Sequence, residues 1–178
     1  MGAGTVAGAS SAHGREALAY RVFDEGGLLL HASAVANGDR GYLFLGASGA
    51  GKTTLAGLAP GAVIHDDLVI VRPDAPGGWW LEPAPVPLQQ HYPRLCTDGV
   101  RLARAYRLIQ SASVSVEPLT AAQALSLGLS CTPVLALDRR YAKKVILRWR
   151  RLRHDVPIAS LAFRPDPSFW PFVVDGPV

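Results

Sequence analysis

A single α/β domain, built as a mixed β-sheet around one short helix with further helices in its C-terminal half, is what the sequence predicts. Three observations carry that prediction. Short apolar β runs alternate with segments of helical period. A glycine-rich turn stands between the apolar run Tyr42–Leu45 and a helical pattern that begins at Lys52. The 178 residues suit one core better than two, and 49% are apolar against 18% charged, a balance that argues against disorder.

Taken in order, residues 1 to 15 are small and polar and read as a flexible tail, which puts the domain at residues 16 to 178. "ALAYRVF" (17–23) reads as a strand. "LLLHASAVA" (28–36) and "YLFLG" (42–46) read as antiparallel neighbours, because only the turn-forming "NGDRG" separates them. The helical pattern from Lys52 stops near "APG" after about two turns, and "AVIHDDLVIV" (62–71) follows as a strong β run. "RPDAPGGWWLEPAPVPLQQHYP" is too rich in Pro and Gly for continuous helix, and reads as a hairpin followed by an irregular loop. "RAYRLIQ" and "VSVEPL" are two further strands. Thr120 and Gln123 form a capping box ahead of "AAQALSLGL". Thr132-Pro133 predicts another helix start. From there Val134, Leu137, Tyr141, Val145, Trp149 and Leu152 recur at three- and four-residue intervals, as one face of a long helix. "PIASLAF" reads as a closing strand, and "SFWPFVV" as an aromatic end that packs on the domain.

Composition narrows the functional classes. No apolar run reaches the roughly 18 residues that span a bilayer. The N-terminus lacks the basic and apolar regions of a secretion signal, and Val6 stands where myristoylation requires Ser or Thr, so a cytoplasmic location is expected. Cys96 and Cys131 lie in no metal-ligand spacing and read as buried small hydrophobes. The net charge of +4 is local: eight of the 18 Lys and Arg residues fall between Arg139 and Arg153. Trp149 belongs to the apolar stripe there, so exposed aromatics do not interleave with the charges, and nucleic acid is not the expected partner. An acidic segment is the partner such a face would attract. Oligomeric state stays open, a homo-oligomer included.

The chemistry concentrates between residues 46 and 67. Gly46, Ala47, Ser48, Gly49, Ala50, Gly51, Lys52 and Thr53 match the phosphate-binding P-loop pattern, with Thr54 next in line. Glycines let successive backbone N–H groups turn inward around phosphate oxygens. Lys52 brings an ammonium to the β- and γ-phosphates, and the Thr53 hydroxyl is a hard oxygen ligand for Mg²⁺. ATP or GTP binding is therefore expected. Only 13 residues lie between Lys52 and Asp66, room for a short helix, a turn and a strand returning beside the loop's own strand. Adjacent side chains on a strand point to opposite faces. Asp66 and Asp67 could both face the phosphates only at a strand irregularity, where one could hold Mg²⁺ and the other accept a proton.

"HASAV…GASGAGKTTLA…GAVIHDDLVIV" resembles the catalytic domain of HPr kinase/phosphorylase and, more distantly, phosphoenolpyruvate carboxykinase. The shared features are His31 on the strand before the loop, the loop Gly46–Thr53, and the short return to Asp66–Asp67. The resemblance is specific over residues 28 to 72. It implies a P-loop domain of that type that transfers a phosphoryl group from ATP, with Mg²⁺, to a hydroxyl, usually a serine on a protein or peptide. Carried over, Lys52 and Thr53 hold phosphate and metal, Asp66 is the base, Asp67 the metal-side carboxylate, and His31 orients or tunes the pair; the two aspartates could exchange roles. The N-terminal domain of the full-length bifunctional enzymes and their glycine-rich segment after the aspartates are not found in this sequence, which puts phosphorolysis and the usual phosphocarrier substrate in doubt. Small relatives that look like peptide-tailoring kinases are the closer likeness, and they imply a peptide or small-protein acceptor, an acidic one docking near Arg139–Arg153. Two alternatives stand beside this reading: a nucleotide-binding regulatory or assembly module without an acceptor, and a small-molecule kinase of the same fold. His65 reads as structural. Glu82 reads as a surface turn residue, with a ligand role as the alternative, and His91 and Arg94 are candidates for touching substrate or nucleotide.

Overall fold

Ser11 opens a helix at the point where the sequence reads as a tail running into a strand. In the computed structural model, which describes residues 11–74 and 77–176, the Ser11 hydroxyl caps the Gly14 N–H and α1 runs over Ala12–Asp24. Leu18, Ala19, Val22 and Phe23 are buried, a stripe at helical spacing. The strand expected at 17–23 is thus a helix: its dense apolar residues mimic a β run, but only one side of the segment meets the sheet. The boundary drawn at residue 16 falls inside α1, and the rest of the expected tail, residues 1–10, lies outside the described residues.

The other elements are β1 (Leu28–Asn37), β2 (Arg40–Leu45), α2 (Lys52–Leu58), β3 (Ala62–His65), β4 (Leu68–Asp74), β5 (Gly78–Pro83), β6 (Val100–Gln110), β7 (Ser115–Pro118), α3 (Ala121–Ser130), α4 (Pro133–Leu137), α5 (Ala142–Asp155), β8 (Ile158–Phe163) and α6 (Trp170–Asp175). They form one α/β domain with a mixed sheet. β1 and β2 make the expected hairpin, with Gly38 supplying the positive φ of 63° that its two-residue turn requires. β2 then pairs in parallel with β6 along its other edge, and β6 also pairs with β5 and β8. The pairings β1–β2–β6–β5–β4–β1 consequently close a circuit, from which β8 and β7 extend.

That circuit decides where the returning chain goes. The sequence places it beside the glycine loop's own strand, β2. Both edges of β2 are taken, so β3 pairs instead with β1, which also pairs with β4. "AVIHDDLVIV" is likewise two strands rather than one, with Asp66 and Asp67 in the break between β3 and β4. Both faces of the central strands are covered: Leu43 and Leu45 of β2 point into one apolar cluster, Tyr42 and Phe44 into the other. This double burial explains why β1 and β2 read as unbroken apolar runs.

In the C-terminal half the capping box forms as expected, with Thr120 and Gln123 bonding reciprocally. The single long helix from Thr132 does not form. α4 ends at Leu137, Asp138 turns extended, and its carboxylate accepts from the Arg140 N–H and guanidinium before α5 begins. Leu137 is 84% exposed, off the predicted stripe, while Val145, Trp149 and Leu152 are buried as expected. Thr132 stands at the N-cap position of α4 with Pro133 next, as expected, but its side chain makes no capping bond; the hydroxyl donates back to the Gly128 carbonyl at 3.0 Å. The aromatic end packs, with Phe169, Trp170 and Val173 buried. Among the described residues no helix is long and apolar enough to cross a membrane.

α3 and α5 meet where Gly128 faces the Trp149 ring, and a Cβ at Gly128 would sit 2.3 Å from that ring. Both groups are buried, so neither can yield cheaply. Gly128→Ala is expected to lower stability by roughly 1–3 kcal/mol, read as a urea midpoint shift at constant m. An unchanged midpoint would mean that α3 and α5 separate without penalty.

Candidate functional site

β2 ends at Leu45, and the chain turns through Gly46–Gly51 into α2. Gly51 has φ 96°, and a Cβ there would meet the Phe163 ring at 2.8 Å, so only glycine fits. Gly49, at φ 80°, also lies in the left-handed region. Lys52 is only 7% exposed, and its Nζ donates to the carbonyls of Gly46 (2.9 Å) and Ala47 (3.0 Å). Burial pushes the ammonium below its usual range. Two neighbouring strands fix the loop: Gln110 Nε2 donates to the Gly49 carbonyl at 2.9 Å, and Ser33 Oγ to the Lys52 carbonyl at 3.1 Å. The Ala50 N–H donates to the Ala47 carbonyl and tightens the turn.

Beside this loop lies a cavity of about 280 Å³, lined by His31, Ser48, Lys52, Thr53, Asp66 and Gln89 among others. A neighbouring cavity of about 450 Å³ shares Gly51, Thr54 and Gln110 with it and adds Ser111, Phe163 and Pro165.

The two aspartates diverge at the strand break. His65 sets that break: its Nδ1 accepts the N–H groups of both Asp67 and Leu68 at 3.1 Å. Its Nε2 lies 3.1 Å from the Val86 carbonyl and must carry the proton there. His65 is therefore neutral, and its Nδ1, 3.7 Å from Asp66, makes no ion pair. Asp66, 1% exposed, lines the 280 Å³ cavity. Both its oxygens accept from the Gln89 N–H at 3.1 Å, and Oδ2 accepts from the Tyr92 hydroxyl at 2.9 Å. Burial and the Asp66 charge in turn push the Tyr92 phenol well up. Asp67, 4% exposed, turns toward α1, where Oδ2 accepts from Arg15 Nη1 at 2.7 Å and Oδ1 lies 3.1 Å from His31 Nδ1. The hydrogen bond from His31, and after it that from Arg15, outweighs burial and takes the Asp67 carboxyl down to about 2.

The structure thus gathers His31, Ser48, Lys52, Thr53 and Asp66 at one cavity and sets Asp67 behind His31. Three other candidates go elsewhere. Glu82 lies on β5, not in a turn, and pairs with Arg72. Arg94 donates to the Pro60 carbonyl and lines a separate cavity with Leu95 and Asp98. His91 is exposed and lines none of these cavities. Of the basic run Arg139–Arg153, Arg148 turns inward to the Phe23 and Gly27 carbonyls, with its guanidinium 3.7 Å from the Phe23 ring centroid. Arg140 binds Asp138 and Arg151 binds Asp155. None of the eight lines the two cavities at the glycine loop.

Sequence reasoning missed Arg15, Gln89, Tyr92 and Gln110. Arg15 was hidden by the tail reading, which a helix cap at Ser11 would have overturned. Gln89 acts mainly through its backbone N–H, which no side-chain pattern announces. Among the described residues no group of three His, Cys, Asp or Glu side chains is placed to hold a metal ion. Among the groups that line the cavity, the Thr53 hydroxyl and the Asp66 carboxylate are hard oxygen donors. Such a set fits Mg²⁺, which keeps waters and substrate oxygens for its remaining positions.

Because the Asp67 carboxyl is depressed from 3.8 to about 2, its contribution to stability is fully present above about pH 4 and is lost as pH falls through 2. With both partners part-exposed, the gap between wild type and Asp67→Asn should be on the order of 1–2 kcal/mol at pH 6. Urea unfolding should show that gap closing toward pH 2. A gap that is constant with pH would remove ion pairing as its cause.

No protein-family model matches the chain, and no curated protein matches it.

Proposed function

We propose that the chain is an ATP- and Mg²⁺-dependent kinase of the HPr-kinase-like P-loop type, transferring the γ-phosphoryl group to a hydroxyl, in the first instance a serine, of a peptide or small protein. One observation carries the reading: a buried lysine ammonium and a buried carboxylate face the same cavity across a loop that only glycine can form. The resemblance over residues 28 to 72 supports it. The loop's N–H groups and Lys52 would hold the phosphates, Lys52 exchanging its two carbonyl partners for phosphate oxygens. The neighbouring cavity, with Phe163 and Gln110 in its wall, suits the nucleoside. The Thr53 hydroxyl is the oxygen that would hold Mg²⁺, which when bound supplies charge neutralisation at the phosphates.

In the transfer step the acceptor oxygen bonds to the γ-phosphorus, the bond from that phosphorus to the ADP oxygen breaks, and the hydroxyl proton passes to a carboxylate. Asp66 is assigned that proton. A carboxylate offers about four lone-pair sites, and the bifurcated Gln89 N–H and the Tyr92 hydroxyl occupy three, leaving one on Oδ1. Asp67, with each oxygen already accepting, acts through His31, whose ring it holds at Nδ1. Lys52 stabilises charge on the transferring group, so catalysis would be mostly positioning and electrostatics.

The second reading, a nucleotide-binding module without an acceptor, draws on the covering of Asp66 by Gln89 and Tyr92. Single-turnover transfer from labelled ATP to seryl peptides separates the two. Lys52→Ala is expected to weaken ATP binding at least tenfold and to abolish transfer. Asp66→Asn should retain ATP and slow transfer by roughly 10²–10⁴. Undiminished transfer in Asp66→Asn removes Asp66 as the base, and ATP that stays intact with every acceptor favours the module.

A further inference from the structure

A further cavity, of about 300 Å³, lies on the other side of His31, between α1 and α4. His31 lines it and also lines the cavity at the glycine loop. Its floor is buried and mainly apolar, Ala19, Leu29, Leu68, Cys131 and Leu135, with Thr132 whose hydroxyl already donates to the Gly128 carbonyl. Its rim carries the exposed Glu16 and the half-buried Arg15 and His31, together with Pro133 and Val134.

We propose that this cavity takes an aliphatic or aromatic side chain next to the hydroxyl of a peptide acceptor; the assignment rests on the kinase reading. Contiguity comes first. A molecule seated here borders His31, and behind that ring lies Asp67, so its neighbouring hydroxyl is carried to the edge of the cavity that holds Lys52 and Asp66. The floor supplies the side-chain chemistry: a charged or amide group would lose water there without gaining a partner. Volume supplies the size. Roughly 300 Å³ is the lower limit of small-ligand sites, enough for one side chain, so the remainder of the acceptor must leave past the exposed Ala12 and Pro133. The rim supplies the class. Arg15 is already paired with Asp67 and Glu16 is an anion, so the rim has no spare cation for an anionic small molecule and suits a neutral peptide backbone better. The basic run Arg139–Arg153 lines none of this cavity either, so recognition here is by shape and apolar area rather than by acidic charge.

The test uses the full chain and the peptides acetyl-Gly-X-Ser-Gly-amide and acetyl-Gly-Ser-X-Gly-amide, with X as Gly, Leu, Phe or Asp. Two readouts run in parallel: methyl NMR shifts of Leu29, Leu68, Val134 and Leu135, and kcat/KM for transfer from ATP. Leu or Phe peptides should shift those methyls and be used at least tenfold better than the Gly and Asp peptides, a preference of the size apolar pockets give. Val134→Glu should bring the Leu/Gly ratio toward 1. Ala12→Trp, at the exposed rim, should do the same by filling the mouth. Transfer without methyl shifts or without a Leu preference overturns the cavity assignment and leaves the kinase reading standing. Methyl shifts without transfer to any peptide overturn the kinase reading while keeping the occupant's chemistry. Neither shifts nor transfer overturns both.

Discussion

The site depends on one histidine that is not itself in the cavity. By accepting the N–H groups of Asp67 and Leu68, His65 Nδ1 interrupts the strand that would otherwise run from Ala62 to Asp74. On an unbroken strand, neighbouring carboxylates would point to opposite faces, and both faces of this sheet are apolar. One charge would then be buried without a partner, at a cost of several kcal/mol. The break gives each carboxylate its own donors instead: Gln89 and Tyr92 for Asp66, Arg15 and His31 for Asp67. The proton on His65 Nε2, fixed by the Val86 carbonyl, is what leaves Nδ1 free to accept. The tautomer of a buried ring thus decides the direction of two charges in the next residues.

A second constraint acts on the loop from the opposite side of the cavity. Lys52 is a desolvated cation held only by carbonyl dipoles of its own loop. Such a group is satisfied but not neutralised, and its preference for an anion grows as water is excluded. The loop that carries these carbonyls is itself held, at the Gly49 carbonyl by Gln110 and at the Lys52 carbonyl by Ser33. The positive charge therefore sits in a rigid frame with its opposite, Asp66, across a cavity of about 280 Å³. Preorganised charge of this kind is the condition under which electrostatic stabilisation is strongest.

What the chain reveals in advance follows the range of the forces involved. The hairpin at Gly38, the capping box at Thr120, the glycine loop and the short α2 all arise from bonds within a few residues, and all were legible. The break at Asp66–Asp67 was half legible: adjacent aspartates amid apolar residues implied an irregularity, but not that His65 would make it. Partnerships across long separations were not legible. Arg15 meets Asp67 from 52 residues away and Tyr92 meets Asp66 from 26. The closure of β2 onto β6, which diverts β3 to β1, depends on the whole sheet. Apolar periodicity also misled twice. It made a strand of α1, and it ran one helix through Asp138, where a carboxylate bonding its own turn outweighed the stripe.

Tyr92 bears on the chemistry in a way its place in an irregular loop conceals. Its hydroxyl donates to Asp66 from within a segment of no regular secondary structure, between β5 and β6. A hydrogen bond to a charged group contributes about 1.5–3 kcal/mol, so lifting Tyr92 away without replacement would be costly. The proposed reaction does not require that, because the acceptor's O–H meets the position left open on Oδ1 while Tyr92 stays on Oδ2. The two hydroxyls differ in one respect. Burial and the Asp66 charge hold the phenol's proton firmly in place, so Tyr92 can donate to Asp66 without surrendering its proton, whereas an acceptor oxygen bonding to phosphorus must surrender it. The carboxylate can thus be solvated by one O–H in the resting site and protonated by another during transfer, with no rearrangement of the strand break that aims it.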